Sequence, residues 1–479
     1  MSLQSDQERV GWTERIGYAV GDLGFCLYWN TFSVFLLIFY TDTFGISAAA
    51  AGTMLLVTRL WDNFVDPIMG MVADRTRSRF GRFRPWLLWM CLPFAISGVL
   101  AFTAPNLSPS GKLIYAYVTV TLLMLFYTML NVPYAALLGV ITRQGEERTR
   151  LSSYRFVGAF TGNLIVQGTF LYLVKTLGRG NDRAGYPLTL VVYGCAAIAL
   201  FLFTFGSTRE RVQAVERHKS SVGQDLWDLL RNKPWLVLAA VNVMFQIWVG
   251  IKLAAQVYYF KYVIGDADLA ASWHWLPSVV SKWVSTWNGM VASWMLAGTA
   301  FSLLGALSAP KVMKLLGGKR SAYIYLSLVN AVCCAALFFA GPRDFYLIFG
   351  SQIIGSFVGG PLSPLIWAMF ADTADYGEWR FGRRSTGLVF SAGSFAQKMG
   401  AVLGSAIAGW LLFFYGYQAN LLQTPRTVFG MRMMVGLLPA AASVLTAVVA
   451  LFYGLSAKME RTIGEDLKAR RAAAAVNAN

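Results

Sequence analysis

The stretch RLWDNFVDP at residues 59–67 carries three charges in the middle of an apolar segment at 47–73. A membrane-spanning helix needs about 20 mostly apolar residues, and this segment is long enough to be one. Arg59, Asp62 and Asp66 are spaced i, i+3, i+7, which places them on one face of a helix. Because a charge facing lipid costs on the order of 2.5–3.5 kcal/mol, this face is predicted to meet polar groups or water.

Composition extends this interpretation to the whole chain. Of its 479 residues, 56% are hydrophobic and only 14% are charged, and the mean hydropathy is +0.51. A soluble domain could not bury so much apolar surface, so the composition argues against a cytosolic enzyme or a nucleic-acid-binding protein. Apolar stretches of spanning length recur about twelve times between residues 16 and 454. They predict an all-α membrane protein with twelve transmembrane helices, monomeric in the bilayer.

The same stretches lack the sequence patterns of catalytic or cofactor sites. They contain no nucleophile–base pair, nucleotide-binding loop or metal-binding motif, so we expect neither an enzyme nor a cofactor. The five cysteines also lie in apolar stretches and predict no disulfide framework.

Basic residues determine the predicted orientation. Lysine and arginine are concentrated in the connections at 74–84, 207–234 and 310–320 and in the alanine-rich tail from 455. Cytoplasmic loops of membrane proteins carry such an excess. We therefore expect both termini in the cytoplasm, and we interpret the net charge of +17 as a sign of topology in the inner membrane.

An internal repeat divides the chain into two halves. Gly70–Arg82 resembles Gly305–Arg320, and Gly145–Gly162 resembles the run from Gly377, with a shared offset of about 232–235 residues. Two parallel halves around a central cavity is the layout of the major facilitator fold. The predicted organisation is an N-terminal six-helix half, a cytoplasmic linker, a C-terminal six-helix half and a cytoplasmic tail, at residues 1–206, 207–234, 235–454 and 455–479.

The two carboxylates of the second span indicate a cation site. Asp62 and Asp66 lie one helical turn apart and repel each other unless a proton, Na⁺ or a basic side chain lies beside them. Arg59 can neutralise only one of them well, and Arg155 or Lys398 could neutralise the other. A site that binds and releases a cation is what cation-coupled transport needs. The alternative interpretation of these charges is a static ion-pair network that holds the helices together.

Other polar residues inside the spans are candidates for binding substrate. Tyr127 and Asn131 lie one turn apart in the fourth span, and both can hydrogen-bond a polyol. Lys252 and Gln256 are likewise one turn apart in the seventh span, where the lysine could bind an anionic substrate or pair with an acid.

Several motifs together resemble those of the glycoside–pentoside–hexuronide:cation symporters. RLWDNFVDP and the following IMGMVADRTRSRFGRFRPW are similar to that family's second span and the loop after it. Further similar motifs follow in the same order across nearly the whole chain: YTDTFG at 40–45, NVPY at 131–134, YVIGDAD at 262–268 and ADTADYGE at 371–378.

The resemblance implies a major facilitator fold and cation-driven sugar uptake. It also implies roles by position. Asp62 and Asp66 match the cation-binding carboxylates, Thr128 matches the hydroxyl beside them, Arg155 and Lys398 match basic residues facing the site and the sugar, and Arg59 matches the arginine of the second-span motif.

Departures from the family pattern bear on the coupling ion. Valine stands at Val65, where the melibiose permease of the family has an asparagine ligand for Na⁺, and Cys26 and Asn131 replace sugar-binding aspartates. Asp22, one turn before Cys26, is expected to replace part of the lost carboxylate chemistry. Because these positions offer fewer oxygen ligands for Na⁺, H⁺ coupling is favoured, with Asp66 as the proton carrier. Na⁺ is the alternative coupling ion.

The basic residues in the spans outnumber the acidic ones, with Arg59, Arg155, Lys252 and Lys398 against Asp22, Asp62 and Asp66. This surplus makes Arg59 a further candidate for binding substrate and favours an acidic sugar such as a hexuronide, with a neutral glycoside as the next candidate. A lysolipid transporter of the same fold is kept as a different class. Tryptophans at 268–287 predict a short interfacial helix on the outer side. A cytoplasmic gate is predicted from Asp74, Arg75, Glu146, Asp372, Asp375 and Glu378.

Overall fold

The computed structural model describes residues 10–142, 145–211, 222–266, 283–382 and 386–478. Regular structure within these ranges is almost entirely helical. The helices are α1 Trp12–Ile38, α2 Ala48–Arg75, α3 Arg84–Ala101, α4 Pro109–Ile141, α5 Gly145–Leu177, α6 Asp182–Ser207, α7 Val222–Arg231, α8 Lys233–Tyr258, α9 Trp287–Leu315, α10 Lys319–Phe339, α11 Phe345–Gly359, α12 Leu362–Phe381, α13 Thr386–Phe414, α14 Pro425–Val435, α15 Leu437–Ala450 and α16 Ala457–Ala478.

Eleven helical segments of the described chain are long and apolar enough to cross a membrane. The remaining predicted span is α2, which has 28 residues and whose hydropathy is lowered by its charged face. Two of the eleven segments each consist of two consecutive helices. In one, α11 meets α12 at Gly360–Pro361, and in the other, α14 meets α15 at Gly436. The prediction of an all-α chain built for the bilayer is confirmed.

Two helices end in the same unusual way. α1 continues as a π-helical turn at Phe39–Phe44, and α8 continues as one at Tyr259–Ile264. Each turn stops at a glycine with a positive φ, 82° at Gly45 and 70° at Gly265. Glycine adopts this backbone region without the clash that a Cβ would cause.

Contacts between Cα atoms group the chain into two compact units. The first unit comprises Met1–Glu216, Gln256–Leu296 and Ser405–Thr427, and the second comprises Arg217–Ala255, Ala297–Gly404 and Val428–Asn479. These units follow a different division from the predicted halves, and the two-half organisation stays a prediction.

In the first unit, α1 and α5 pack backbone against backbone. A Cβ on Gly158 would lie 2.0 Å from the Ala19 carbonyl oxygen, and one on Gly162 would lie 2.6 Å from Cβ of Cys26. Small residues four apart let membrane helices approach this closely. Close packing here positions the polar residues of α1.

The second unit uses the same device between α8 and α13. A Cβ on Gly400 would lie 2.5 Å from the Val243 carbonyl oxygen, and one on Gly404 would lie 2.3 Å from that of Ile247. The four-residue spacing of glycines therefore recurs in α5 and α13.

The C-terminal tail folds as a helix, and this helix is packed. Ile463 and Leu467 of α16 are buried in the apolar core of the second unit. Lys319 Nζ lies 3.2 Å from Glu460 Oε2, and Trp379 Nε1 donates to Asp466 at 2.9 Å. These contacts attach α16 to the unit, which the sequence did not predict.

Candidate functional site

The three residues predicted to bind the cation meet between α2 and α4. Thr128 Oγ1 lies 2.5 Å from Asp62 Oδ1 and 3.1 Å from Asp66 Oδ1. Thr128 is 1% exposed and Asp62 is 6% exposed, whereas Asp66 is half-buried. The i, i+4 spacing on α2 brings both carboxylates to the same side chain of α4.

One hydroxyl cannot satisfy two ionised carboxylates. A threonine hydroxyl carries a single hydrogen and otherwise offers lone pairs. If Thr128 donates to Asp62, then Asp66 approaches a lone pair of the same oxygen. That contact is favourable when Asp66 carries a proton or when a cation lies between the oxygens. The Thr128 hydroxyl can therefore donate to only one of the two carboxylates at a time.

Arg59 is on the same face of α2, but its direct contacts are aromatic. Its guanidinium carbon lies 4.8 Å from the ring centre of Trp29 and 4.4 Å from that of Phe32, both on α1. Nη2 donates to Ser33 Oγ at 3.4 Å. The sequence predicted neutralisation of a carboxylate by Arg59. The structure places the guanidinium against two rings, and neutralisation of a carboxylate by Arg59 stays a prediction.

A separate ion pair links α1 to α5. Arg155 Nε lies 3.1 Å from Asp22 Oδ2, and the Arg155 guanidinium stands 5.2 Å above the Tyr134 ring. Arg155 was one of two candidates for neutralising the α2 carboxylates, and the structure pairs it with Asp22. The two predicted substrate residues thus form one charge-paired group. Lys398, the other candidate, lies half-buried on α13.

The remaining predicted substrate residues of the first unit lie near this group. Tyr127 stacks on Trp29 with ring centres 5.0 Å apart, and Asn131 is half-buried one turn further along α4. Cys26 is half-buried at the α1–α5 contact. Sequence reasoning missed Trp29 and Phe32. The sequence could have indicated them, because helical spacing places these two aromatic side chains of α1 on the same side of the helix as Asp22.

The seventh-span pair has described contacts of its own. Lys252 Nζ donates to Gln352 Oε1 of α11 at 3.2 Å, within the second unit. Gln256 is 4% exposed, and its Nε2 has no hydrogen-bond partner among the described residues.

One of the predicted gate residues, Asp372, has a described ion pair. Asp372 pairs with Lys319 at 2.5 Å. This ion pair joins α12 to the start of α10 within the second unit. Asp74 and Arg75 are exposed at the end of α2, and neither forms an ion pair with a residue of the described ranges. The expectation that these two residues clasp another loop stays a prediction.

Other predicted gate positions lie on α12 or outside the description. Asp375 and Glu378 are half-buried on α12. The side chain of Glu146 and residues 267–282, which hold most of the predicted interfacial helix, lie outside the described residues. Ion pairs that the sequence did not single out occur at the start of α1, where Glu14 pairs with Arg211 at 2.8 Å and Arg15 pairs with Glu147 at 2.9 Å.

Residues 17–457 match the family described as MFS/sugar transport protein. The chain belongs to this family. Membership makes it a multi-pass membrane transporter with the major facilitator fold, rather than an enzyme, as its composition and repeat predicted.

Full-length relatives of this transporter carry names that agree with the resemblance of its motifs. It is 34% identical over 456 residues to the Inner membrane symporter YicJ of Escherichia coli (strain K12), which covers 95% of this chain and 94% of that one. It is 33% identical to the Isoprimeverose transporter of Lactiplantibacillus pentosus, over 97% of this chain and 92% of that one. It is 30% identical to the Glucuronide carrier protein homolog of E. coli K12, over 97% of each chain.

Proposed function

We propose that this transporter imports a sugar or glycoside by cation-coupled symport with alternating access, in the inner membrane and with both termini cytoplasmic. The observation that carries the proposal is the single Thr128 hydroxyl contacted by both Asp62 and Asp66. The pair is stable only with a positive charge in or beside it, and a charge that binds and leaves can drive transport. Relatives named as a symporter and as sugar carriers support the same function.

We infer that the coupling ion is H⁺. A proton on Asp66 lets that acid donate to Thr128, which in turn donates to ionised Asp62. Hydrogen bonds to a charged acceptor are shorter than those between neutral groups, and the contact to Asp62 is the shorter of the two. Na⁺, the alternative, needs several more oxygen ligands, and Val65 on the same helix supplies none.

The charged group on α1 and α5 supports an acidic substrate. Arg155 is 28% exposed and Asp22 is 14% exposed as side chains, so the pair is accessible on its arginine side. An arginine fork binds a carboxylate or sulfonate in two-point fashion. A relative named as a glucuronide carrier fits this substrate class, whereas one named for isoprimeverose fits a neutral glycoside.

The cycle follows from these roles. A proton from outside neutralises the α2 pair, sugar then binds beside Asp22, Arg155 and Asn131, and the two predicted halves, 1–206 and 235–454, rock to open the site inward. Release of sugar and proton inside returns the empty transporter. Lys252, Gln256 and Lys398 are proposed to contact the substrate from the second half.

The deciding experiment is uptake into proteoliposomes under an imposed gradient. Radiolabelled methyl glucuronide and methyl glucoside are offered with either an inward pH gradient or an inward Na⁺ gradient of equal size. We expect accumulation of the glucuronide driven by the pH gradient. Asp66→Asn should only equilibrate the sugar, while Asp182→Asn, at an exposed carboxylate on α6, serves as the matched control and should accumulate it normally.

Each alternative has its own result. Accumulation that needs Na⁺ and does not respond to the pH gradient would show that Na⁺, and not H⁺, is the coupling ion. Preferential uptake of the glucoside would show that the substrate is a neutral glycoside and not an acidic sugar. Uphill accumulation by Asp66→Asn would remove that residue from the coupling site.

A further inference from the structure

A cavity of about 350 Å³ lies in the second unit, where α10 begins and α15 ends. This volume is within the range of small-molecule sites, about 300–1,000 Å³. The turn before α10, the first residues of that helix, the end of α15 and the start of α16 form its wall, which includes Lys319, Arg320, Ser321, Tyr325, Leu451 and Ser456. The basic connection at 310–320 predicts that this end of the unit faces the cytoplasm.

Arg320 supplies the positive charge of this cavity. Lys319 also lines the wall, but its Nζ pairs with Asp372 at 2.5 Å and with Glu460 at 3.2 Å. The Arg320 guanidinium donates to the Leu451 carbonyl oxygen, and among the described residues it forms no ion pair with a carboxylate. Since a guanidinium has five N–H donors in a fork that matches a phosphate or a carboxylate, donors of Arg320 remain for an anionic group in the cavity.

Apolar surface leads away from the cavity along α10 and α15. These two helices are neighbours, and Asn330 Nδ2 of α10 donates to Ser443 Oγ of α15 at 3.1 Å. Each of them exposes a row of large apolar side chains at helical spacing. The rows are Tyr325, Leu328, Val329 and Val332 on α10 and Val444, Leu445, Val448 and Leu451 on α15. Tyr325 and Leu451, where the two rows begin, both line the cavity.

A polar cavity that continues into apolar rows fits a phospholipid better than a soluble anion. A soluble phosphate or carboxylate needs the arginine but makes no use of an apolar surface. A phospholipid carries an anionic phosphate next to two acyl chains, so it matches both parts. The cytoplasmic leaflet of a membrane carries anionic lipids, and basic pockets between helices on that side bind their head groups.

We propose that this cavity binds the phosphate group of an anionic phospholipid of the cytoplasmic leaflet, with the acyl chains along the apolar rows of α10 and α15. The Arg320 guanidinium donates to the phosphate oxygens, and the hydroxyls of Ser321 and Ser456 in the same wall bond the rest of the head group. Because the wall combines α10, α15 and the start of α16, a bound lipid stabilises the packing of these helices.

The test is lipid binding by the purified full-length transporter, measured by native mass spectrometry in detergent. Palmitoyl-oleoyl phosphatidylglycerol and the zwitterionic palmitoyl-oleoyl phosphatidylethanolamine are titrated separately. We expect the parent protein to bind phosphatidylglycerol more tightly than phosphatidylethanolamine. Arg320→Gln keeps a donor for the Leu451 carbonyl oxygen but loses the charge. Its affinity for phosphatidylglycerol should fall about tenfold, the effect of losing one hydrogen bond between charged groups.

Two further variants separate the cavity from the general charge of the membrane face. Lys314→Gln removes one charge from an exposed lysine in the last turn of α9, outside the cavity wall, and should leave the affinity unchanged. Ser321→Leu fills the cavity, keeps Arg320 and should weaken binding. Thermal unfolding without lipid shows that each variant is folded. Added phosphatidylglycerol should raise the unfolding temperature of the parent more than that of Arg320→Gln, because a ligand stabilises the state that binds it.

Smaller probes distinguish the lipid from its head group. Inorganic phosphate and dihexanoyl phosphatidylglycerol carry the anionic group without long acyl chains, and neither should displace the long-chain lipid at equal concentration. Displacement by either probe would show that the apolar rows contribute nothing to binding and would refute the lipid assignment. Equal phosphatidylglycerol affinity in the parent and in Arg320→Gln, or equal affinity of the parent for the two long-chain lipids, would refute it as well.

Discussion

Two carboxylate clusters in the first unit are built in opposite ways. At the predicted outer end of α1, Asp42 is surrounded by fixed donors: Lys261 Nζ and the Tyr262 hydroxyl are each 2.5 Å from Oδ2, and the Tyr417 hydroxyl donates to Oδ1. Asn420 Nδ2 also donates to the Asp42 carbonyl oxygen at 2.7 Å. This cluster contains its own cation.

In α2, by contrast, two carboxylates share the hydroxyl of Thr128. The guanidinium predicted to neutralise one of them, Arg59, lies against two aromatic rings. Burial of an acid does not by itself indicate a mobile cation. At Asp42 the positive partner, Lys261, is covalently part of the protein, whereas the α2 pair is the one proposed to take up its cation from solution.

The largest expected effect separates the two clusters by function. Asp62→Asn should abolish gradient-driven accumulation, because Asp66 loses the neighbouring negative charge that favours its protonation. Asp42→Asn should retain accumulation at a lower level, because its cluster holds a static lysine. Counterflow, which needs no gradient, checks that both variants still bind sugar. Equal loss of accumulation in both would erase the distinction.

The next effect is on stability. Asp42→Asn leaves Lys261 partly buried without its carboxylate, and we expect a loss of about 3 kcal/mol, at the lower end of the values for breaking a buried ion pair. Asp42→Asn combined with Lys261→Met should lose less than the sum of the single changes, because no uncompensated charge is left. Thermal unfolding in detergent measures the cycle, and strict additivity would contradict the ion-pair account.

Thr128 gives a smaller and more specific effect. Thr128→Val removes the shared hydroxyl and keeps the shape of the side chain, so protonated Asp66 loses the oxygen to which it donates. A hydrogen bond between neutral groups contributes about 0.5–1.5 kcal/mol, so the proton affinity should weaken by up to about tenfold. Thr128→Ser keeps the hydroxyl and should behave like the parent. The pH dependence of uptake provides the readout, and an unchanged profile in the valine variant would exclude the hydroxyl from the site.

The smallest expected effect concerns pH and the Asp42 cluster. Burial raises the pKa of the Tyr417 phenol, and the neighbouring Tyr258 and Asp42 raise it further. The folded protein therefore keeps a proton that the unfolded chain releases above about pH 10. The contribution of Tyr417 to the free energy of unfolding is full below that pH and is lost as pH rises. Tyr417→Phe should show a shallower loss of stability between pH 9 and pH 11, measured by thermal unfolding.

The spans and the charged face of α2 were predictable because they depend on local periodicity and on apolar length. Asp62 and Asp66 share a face whatever surrounds them, since a helix repeats every 3.6 residues. Thr128 entered the predicted site only through the resemblance of its motif, because nothing in its own neighbourhood distinguishes it from the other threonines of α4.

The partners of the charged residues depended on the tertiary packing. Arg59 could have paired with Asp62 and Arg155 with the α2 carboxylates, and the chain contains both options. Which one forms is set by the approach of α1 to α5 at Gly158 and Gly162 and by the rings that α1 presents to α2. Contacts between distant helices depend on ångström-scale packing that no local pattern encodes. For that reason the residue types alone indicated a cation site, whereas only the three-dimensional arrangement determined which charged side chains pair with each other.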